Sequence, residues 1–302
     1  MIPVIDPVDR DLLQAEIETI EILAEFRGLE VYSLQGDDCP QVMREIGRLR
    51  ETGFRQVGAG RNLDCDVDAL DFGPNAYYQL VAWDPDEREI VAVYRYQLGS
   101  RAISAGDGVL RTAQLFDYSK AFNRDIKPYS IELGRSVVNE QARRRVLGLF
   151  ALWIGLYSLL KKHSDISFYF GNVSLYDSMD ATARALIVAF LETHYCPEQP
   201  MLIAREGLRF EPGHRYLAEV QAISAATPEE RTRTLHRLLK PHSEKIPPIL
   251  QSYMGLGLDI WFGQTAHDHD FGDALEVGVI VPIETVRKSR AIERFSPRGK
   301  TL

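Results

Sequence analysis

Cysteine is scarce: Cys39, Cys65 and Cys196 are the only three in 302 residues, dispersed and without a CxxC pair. So odd and scattered a set excludes a disulfide framework and a cysteine-ligated structural zinc, and it suits a reducing compartment. A cytoplasmic protein is expected. Positive charge is in deficit, with 35 Lys and Arg against 43 Asp and Glu and a formal net charge of −8. A broad electrostatic grip on nucleic acid is thereby excluded. Long apolar runs are also missing. The longest nearly unbroken one, Val146 to Leu160, falls short of the roughly 20 residues that cross a bilayer and reads as a buried helix. The first residues, MIPVIDPVDRDLL, lack the basic region, apolar core and small-residue cleavage site of a secretory signal. No internal repeat and no glycine/serine linker interrupts the chain. What is present, 45% hydrophobic and 26% charged residues, is an ordinary globular balance.

The apolar spacing predicts a mixed α/β chain. Asp6 and Pro7 open a first helix whose stripe Leu13, Ile17, Ile20 and Ala24 runs to Gly28. A strand over 29–34, a helix opened by Pro40, a polar loop over 58–73 and a hairpin of 77–83 with 90–96 follow. Segment 99–127 is a long glycine-containing loop of the kind that folds over a site. Strand 130–138, helix 143–163 and strand 166–170 form a unit suited to a parallel pair with a right-handed crossover. The helix is apolar on more than one face and must be covered on most sides. A helix capped by Asp177, a strand near 201–204, a helical stretch over 227–239 and a last strand over 275–282 complete the pattern. One domain over 1–302 is expected. Its core covers about 40–282, with an N-terminal helix over 1–28, a helical insertion over 205–260 and a loose basic tail over 287–302.

The chemically informative stretch is Ile131 to Gly148, IELGRSVVNEQARRRVLG. Strand alternation puts Glu132, Gly134 and Ser136 on one face and Leu133, Arg135 and Val137 on the other. A glycine in a strand admits a second chain closely, and a carboxylate beside it can take a proton from an attacking amine. Glu132 is the candidate base; the alternative is a plain strand glutamate or an arginine's partner. Arg143, Arg144 and Arg145 begin the next helix, where amides and guanidinium groups can seat a phosphate. The alternative is a solvated arginine run. His267, Asp268, His269 and Asp270 alternate two metal-ligand types but lack supporting third and fourth ligands, so no metal is expected.

Glu132-Leu133-Gly134-Arg135-Ser136-Val137-Val138, with the basic turn and the LFALWIGL helix, resembles the core motif of the GNAT-type acyltransferases. More narrowly it resembles the branch containing the ornithine and glycine lyso-lipid synthases, often labelled hemolysin-like and related to the acyl-homoserine-lactone synthases. Val93-Tyr94-Arg95-Tyr96 resembles that group's G-x-Y-R strand, residues 246–257 its PPLLKGYLRLG segment, and Asp268-His269-Asp270-Phe271 its D-x-D-F. The three matches fall in the same order across about residues 40–282.

The resemblance implies a GNAT-like mixed central sheet with helices on both faces, plus the C-terminal helical insertion. It implies direct transfer of a fatty or 3-hydroxyacyl group from acyl carrier protein to the amino group of an amino acid, giving an N-acyl amino acid or lyso-lipid. Glu132 would activate the amine, and Arg135 and Arg95 would organise the site. Ser136, Val137, Val138, Gln141, Arg143, Arg144, Arg145, Leu147 and Gly148 would hold the phosphopantetheine or pyrophosphate arm. Of the usual Q/R-x-x-G-x-G/A loop only Gly148 is present, which favours a carrier-protein thioester over coenzyme A. No cofactor is permanently bound on this reading; acyl carrier protein or acyl-coenzyme A is a co-substrate. The cations of 143–162 are a candidate docking patch for an acidic carrier protein, the alternative being charges that solubilise the two helix ends. Membrane contact, where present, is peripheral, at the inner face. The competing readings are an acyl-coenzyme-A-dependent small-amine acetyltransferase and a non-catalytic module that binds acyl thioesters or lipids.

Overall fold

The computed structural model describes residues 1–223, 227–257 and 259–288. Most of the basic tail expected over 287–302 lies outside the described residues. In chain order the elements are α1 (Arg10–Ile17), β1 (Ile22–Phe26), β2 (Leu29–Gln35), α2 (Pro40–Gln56), β3 (Tyr78–Asp84), β4 (Glu89–Leu98), α3 (Arg101–Ala105), β5 (Phe116–Tyr118), β6 (Ser130–Val138), α4 (Arg145–Lys162), β7 (Phe168–Leu175), α5 (Ala181–His194), β8 (Leu202–Ala204), α6 (His214–Gln221), α7 (Pro228–Leu239), α8 (Pro248–Met254), β9 (Trp261–Asp268), β10 (Ala274–Pro282) and α9 (Ile283–Lys288). The described residues divide into two compact units, Met1–Arg111 with Ile131–Ile166, and Thr112–Ser130 with those from Ser167 onward.

In the first unit β1, β2, β3, β4 and β6 pair in that order, each pair antiparallel. Helix α2 covers one face. Its Gly53 approaches the Val137 side chain, and Arg50 reaches Gln79 on β3. Helix α4 covers the other face, where Gly148 meets Val91 and Ala92 and Gly155 meets Val31 and Leu80. Glycine is required at the second of these contacts, because a Cβ on Gly155 would stand 2.7 Å from Val31 Cγ1. Gly155→Val is expected to cost about 2–3 kcal/mol through overpacking, read as a lower urea midpoint at unchanged slope. In the second unit β7, β10 and β9 are antiparallel neighbours and β5 pairs with β8. Leu202 of β8 packs where Gly263 and Gly278 leave room. Helices α6, α7 and α8 fall within the helical insertion expected over 205–260.

Three local expectations are corrected. The first helix does not run to Gly28. Asp9, not Asp6, caps it by accepting from the Asp11 N–H, and Arg27 and Gly28, both at positive φ, turn β1 into β2. Ile20 and Ala24 therefore leave the helical stripe for the turn and strand that follow. Helix α5 is capped by Asp180, whose carboxylate accepts from the Ala183 N–H, rather than by Asp177. Helix α4 starts at Arg145, not Arg143, and Asn139 through Arg144 form a turn before it.

Candidate active site

The alternation expected along β6 breaks at its centre. The register passes from Gly134 opposite Arg95 to Val137 opposite Val93, so Arg135 and Ser136 share the single position facing Tyr94. Arg135 takes φ +53° to make this bulge. The extra residue carries Val137 onto the face of Glu132 and Gly134, under α2. Beside the bulge is space: a Cβ built on Gly134 meets no atom within 4 Å.

The bulge rests on a buried lattice of charge beneath α2. Gly47 of α2 lets residues 65–67 lie directly on the helix, and the Asp66 N–H donates to the Gly47 carbonyl at 3.0 Å. That contact positions three carboxylates. Asp68 caps a short turn over Ala69–Asp71 in a capping box closed by Asp71. Arg50 donates to both Asp71 oxygens at 3.2 and 3.1 Å and to Gln79 Oε1 at 2.6 Å, and Gln79 Nε2 donates to Asp71 at 3.0 Å. Arg95 donates to Asp68 at 3.1 Å and Asp71 at 3.2 Å, with its guanidinium 4.7 Å above the Tyr77 ring. Arg135 donates to Asp66 at 2.8 Å and lies over Phe54. Three buried guanidinium groups thus face three aspartates, and the half-buried Arg61 closes the outer side, 3.4 Å from Asp68 and 3.8 Å from Asp66.

Burial disfavours ionisation of Asp71, but the Arg50 and Arg95 charges outweigh it and hold the carboxyl well below the usual range. The same opposition, with Arg95 and Arg135 on the favourable side, lowers Asp68. Burial pulls Arg135 down to about 10 against the attraction of Asp66, which leaves it charged at neutral pH.

Glu132 is 1% exposed, so it is not a carboxylate lying open on a cleft. Its Oε2 receives the Tyr77 hydroxyl and, at 3.2 Å, the backbone N–H of Arg111, which also donates to the Tyr77 oxygen at 2.7 Å. Burial first and the neighbouring carboxylate second raise Tyr77 well above 10, so its phenol stays protonated as the donor.

The arm-binding residues named from the sequence lie apart from this lattice. Ser136 stands half-buried in the bulge, Val137 is buried against α2, and Val138 pairs with Ala92. In the turn after β6, two backbone amides and all three arginines have partners within the protein. The Gln141 N–H is taken by Asn139 Oδ1 and the Arg143 N–H by Glu89 Oε1. The guanidinium of Arg143 pairs with Glu87, that of Arg144 with Asp84 and Asp86, and that of Arg145 with Glu140. Leu147 is half-buried, and Gly148 serves close packing on β4. Arg143 and Arg144 are thus held by the acidic β3–β4 hairpin and Arg145 by Glu140, and the turn lies about 27 Å along α4 from Lys161 and Lys162.

Sequence reading missed Asp66, Asp68, Asp71, Tyr77, Arg50 and Gln79. The signal was there in two halves: DCDVDALD in a loop without periodicity, and an arginine inside the apolar strand VAVYRYQL, which needs a buried counter-charge.

Residues 49–153, from α2 through β6 into α4, match the acetyltransferase (GNAT) domain family. Two glycine N(alpha)-acyltransferases align over almost the whole chain. That of Bacteroides thetaiotaomicron is 33% identical over 302 residues, covering 97% of this chain and 89% of its own. That of Phocaeicola vulgatus is 32% identical over 305 residues, covering 97% and 93%. A solved structure of a CoA-dependent acyl-homoserine lactone synthase, with SAM and isopentyl-CoA, superposes with a TM-score of 0.31 at 16% identity, over 47% of this chain and 65% of that one, under two thirds of its length. The matched domain and the two relatives define the class, a GNAT-type acyltransferase. Within it, the chain belongs to the N-acyltransferase family of the two Bacteroides and Phocaeicola enzymes.

Proposed function

We propose that the protein moves a fatty or 3-hydroxyacyl group from an acyl thioester, with acyl carrier protein as donor, to the amino group of an amino acid, glycine foremost. The product is an N-acyl amino acid or lyso-lipid. Glycine as acceptor rests on the two relatives, whose printed activity is glycine N(alpha)-acylation and which align with 97% of this chain. The reaction's place rests on one observation, the open space at Gly134 beside the β6 bulge and two residues from Glu132.

The amine nitrogen attacks the thioester carbonyl, and a C–N bond forms as the carbonyl oxygen gains charge. The C–S bond then breaks as a base takes one proton from the amine nitrogen and returns it to the departing thiolate, and the amide keeps the second amine proton. Backbone amides of the bulge are suited to the thioester and its oxyanion. Glu132 is suited to the proton. The amine takes the place on Oε2 that the Arg111 N–H holds, while the protonated Tyr77 keeps its own bond and steadies the carboxylate. Arg95 and Arg135, bound into the aspartate lattice, position the strand. A cysteine acyl-enzyme is disfavoured, because burial pushes Cys39, Cys65 and Cys196 each up to about 11 and keeps them as thiols at neutral pH.

Gly134→Val tests the location. Gly134 is not at positive φ and its Cβ direction is empty, so stability should change by less than about 1 kcal/mol. Turnover should fall about 100-fold as the methyl groups displace the thioester. Unchanged turnover would move the reaction elsewhere. Donor and acceptor are read by incubating purified protein with a long-chain acyl carrier protein or acyl-coenzyme A and single amino acids, following free thiol. Rapid release only with carrier protein and glycine is expected, and release only with acyl-coenzyme A would reassign the donor.

A further inference from the structure

The two helices on the first unit's sheet differ on their outer sides. Outside the buried stripe of α2 stand Gln41, Arg44, Arg48 and Arg55, as water requires. Helix α4 buries Gly148, Ala151, Leu152, Gly155, Leu156 and Leu159. Its opposite side carries Val146, Phe150, Trp153, Ile154 and Tyr157, none of them buried, and Val146 is 74% exposed. On that side the expected cover is only partial, with Phe150, Trp153, Ile154 and Tyr157 half-buried and Val146 open.

We propose that the outer side of α4 is a membrane-binding surface that lies in the headgroup–acyl boundary of a bilayer. Its chemistry fits a lipid surface in three respects. The apolar stripe from Val146 to Tyr157 runs about 16 Å, and it includes a Phe, a Trp and a Tyr, the rings suited to a boundary that is apolar below and wet above. Phe150 and Trp153 meet edge to face at 5.9 Å, which broadens the stripe. Cations close both ends: Arg145 before it and Lys161 and Lys162 after it, with Lys161 over the Tyr157 ring and no acidic residue between 143 and 162. Edge strand β1, packed beside α4, adds the exposed Ile22 and the half-buried Phe26 capped by Arg27. Glu21 and Glu140 lie near the cationic ends, so the apolar side carries the binding and anionic headgroups strengthen it. The helix lies on the surface rather than through it. Among the described residues, no helix is long and apolar enough to cross a membrane.

The inference stands apart from the acyl-transfer reading, since its test reads binding and not turnover. Full-length protein is sedimented with vesicles of phosphatidylcholine alone and of equal parts phosphatidylcholine and phosphatidylglycerol. Association with both is expected, several-fold stronger with the second. Phe150→Glu with Tyr157→Glu should lower the partition coefficient at least tenfold. Val146→Glu, at a site too exposed to disturb the core, should lower it several-fold with an unchanged melting curve. Absence of wild-type binding to either vesicle, or binding indifferent to Val146→Glu, would overturn the proposal. Capture of an acidic acyl carrier protein through the same residues, without vesicle binding, would assign the surface to a protein instead.

Discussion

Asp71→Ala is expected to lower the unfolding free energy by about 3–5 kcal/mol, among the largest effects of any single change in this chain. Two buried guanidinium groups, Arg50 and Arg95, converge on this carboxylate, and its removal leaves both short of counter-charge in a site where neither reaches water. Asp71→Asn, which keeps the shape, should recover only part of the loss. Asp71 and Asp68 titrate below their unfolded values in the folded protein. Their contribution is therefore complete above about pH 4, the ordinary carboxylate value, and is lost as pH falls toward the lower folded values. Wild-type stability should fall on acidification below about pH 4, and Asp71→Asn should flatten that slope. Urea unfolding at a series of pH values measures both effects.

Glu132→Gln should leave the fold and donor binding close to wild type while turnover falls by about 10²–10⁴-fold. The amide retains a carbonyl oxygen for the Tyr77 hydroxyl and the Arg111 N–H, so the local hydrogen bonds survive, but it cannot accept the amine's proton. A purely structural role would give the opposite pattern, with a lower melting temperature and turnover per folded molecule unchanged. The donor KM separates a defect in chemistry from one in binding. Tyr77→Phe, which removes one donor but not the carboxylate, should have a smaller effect on turnover than Glu132→Gln.

Much of the fold was legible because burial writes periodicity. The hairpin of β3 and β4, the proline-opened α2, strand β6 and the last strand β10 all follow apolar spacing and turn residues. The N-terminal helix misled because Leu13, Ile17, Ile20 and Ala24 satisfy a helical period although Arg27 and Gly28 specify a hairpin turn. Strand β9 went unread, since its sequence WFGQTAHD mixes polar and small residues that only neighbouring strands justify. Within the site, Glu132, Arg95 and Arg135 were visible through motif resemblance. The aspartate partners of the two arginines were not, because a loop's acidic residues look solvated until α2 closes over them. The bulge was equally hidden: alternation assumes a regular pleat, and the register against β4 and the φ of Arg135 reveal the additional residue. The partners of the arginine run were hidden in the same way: Arg143 and Arg144 pair with carboxylates of the distant β3–β4 turn, and Arg145 with Glu140 of its own turn.

The most direct measurement expresses the protein in a host that lacks N-acyl amino acid lipids, extracts total lipid and compares wild type with Glu132→Gln by mass spectrometry. A new long-chain N-acylglycine or related lyso-lipid with wild type, and little or none with the variant at equal protein level, is the expected result. An extract without any new N-acyl species, or one in which the variant yields as much as wild type, would contradict acyl transfer at this carboxylate.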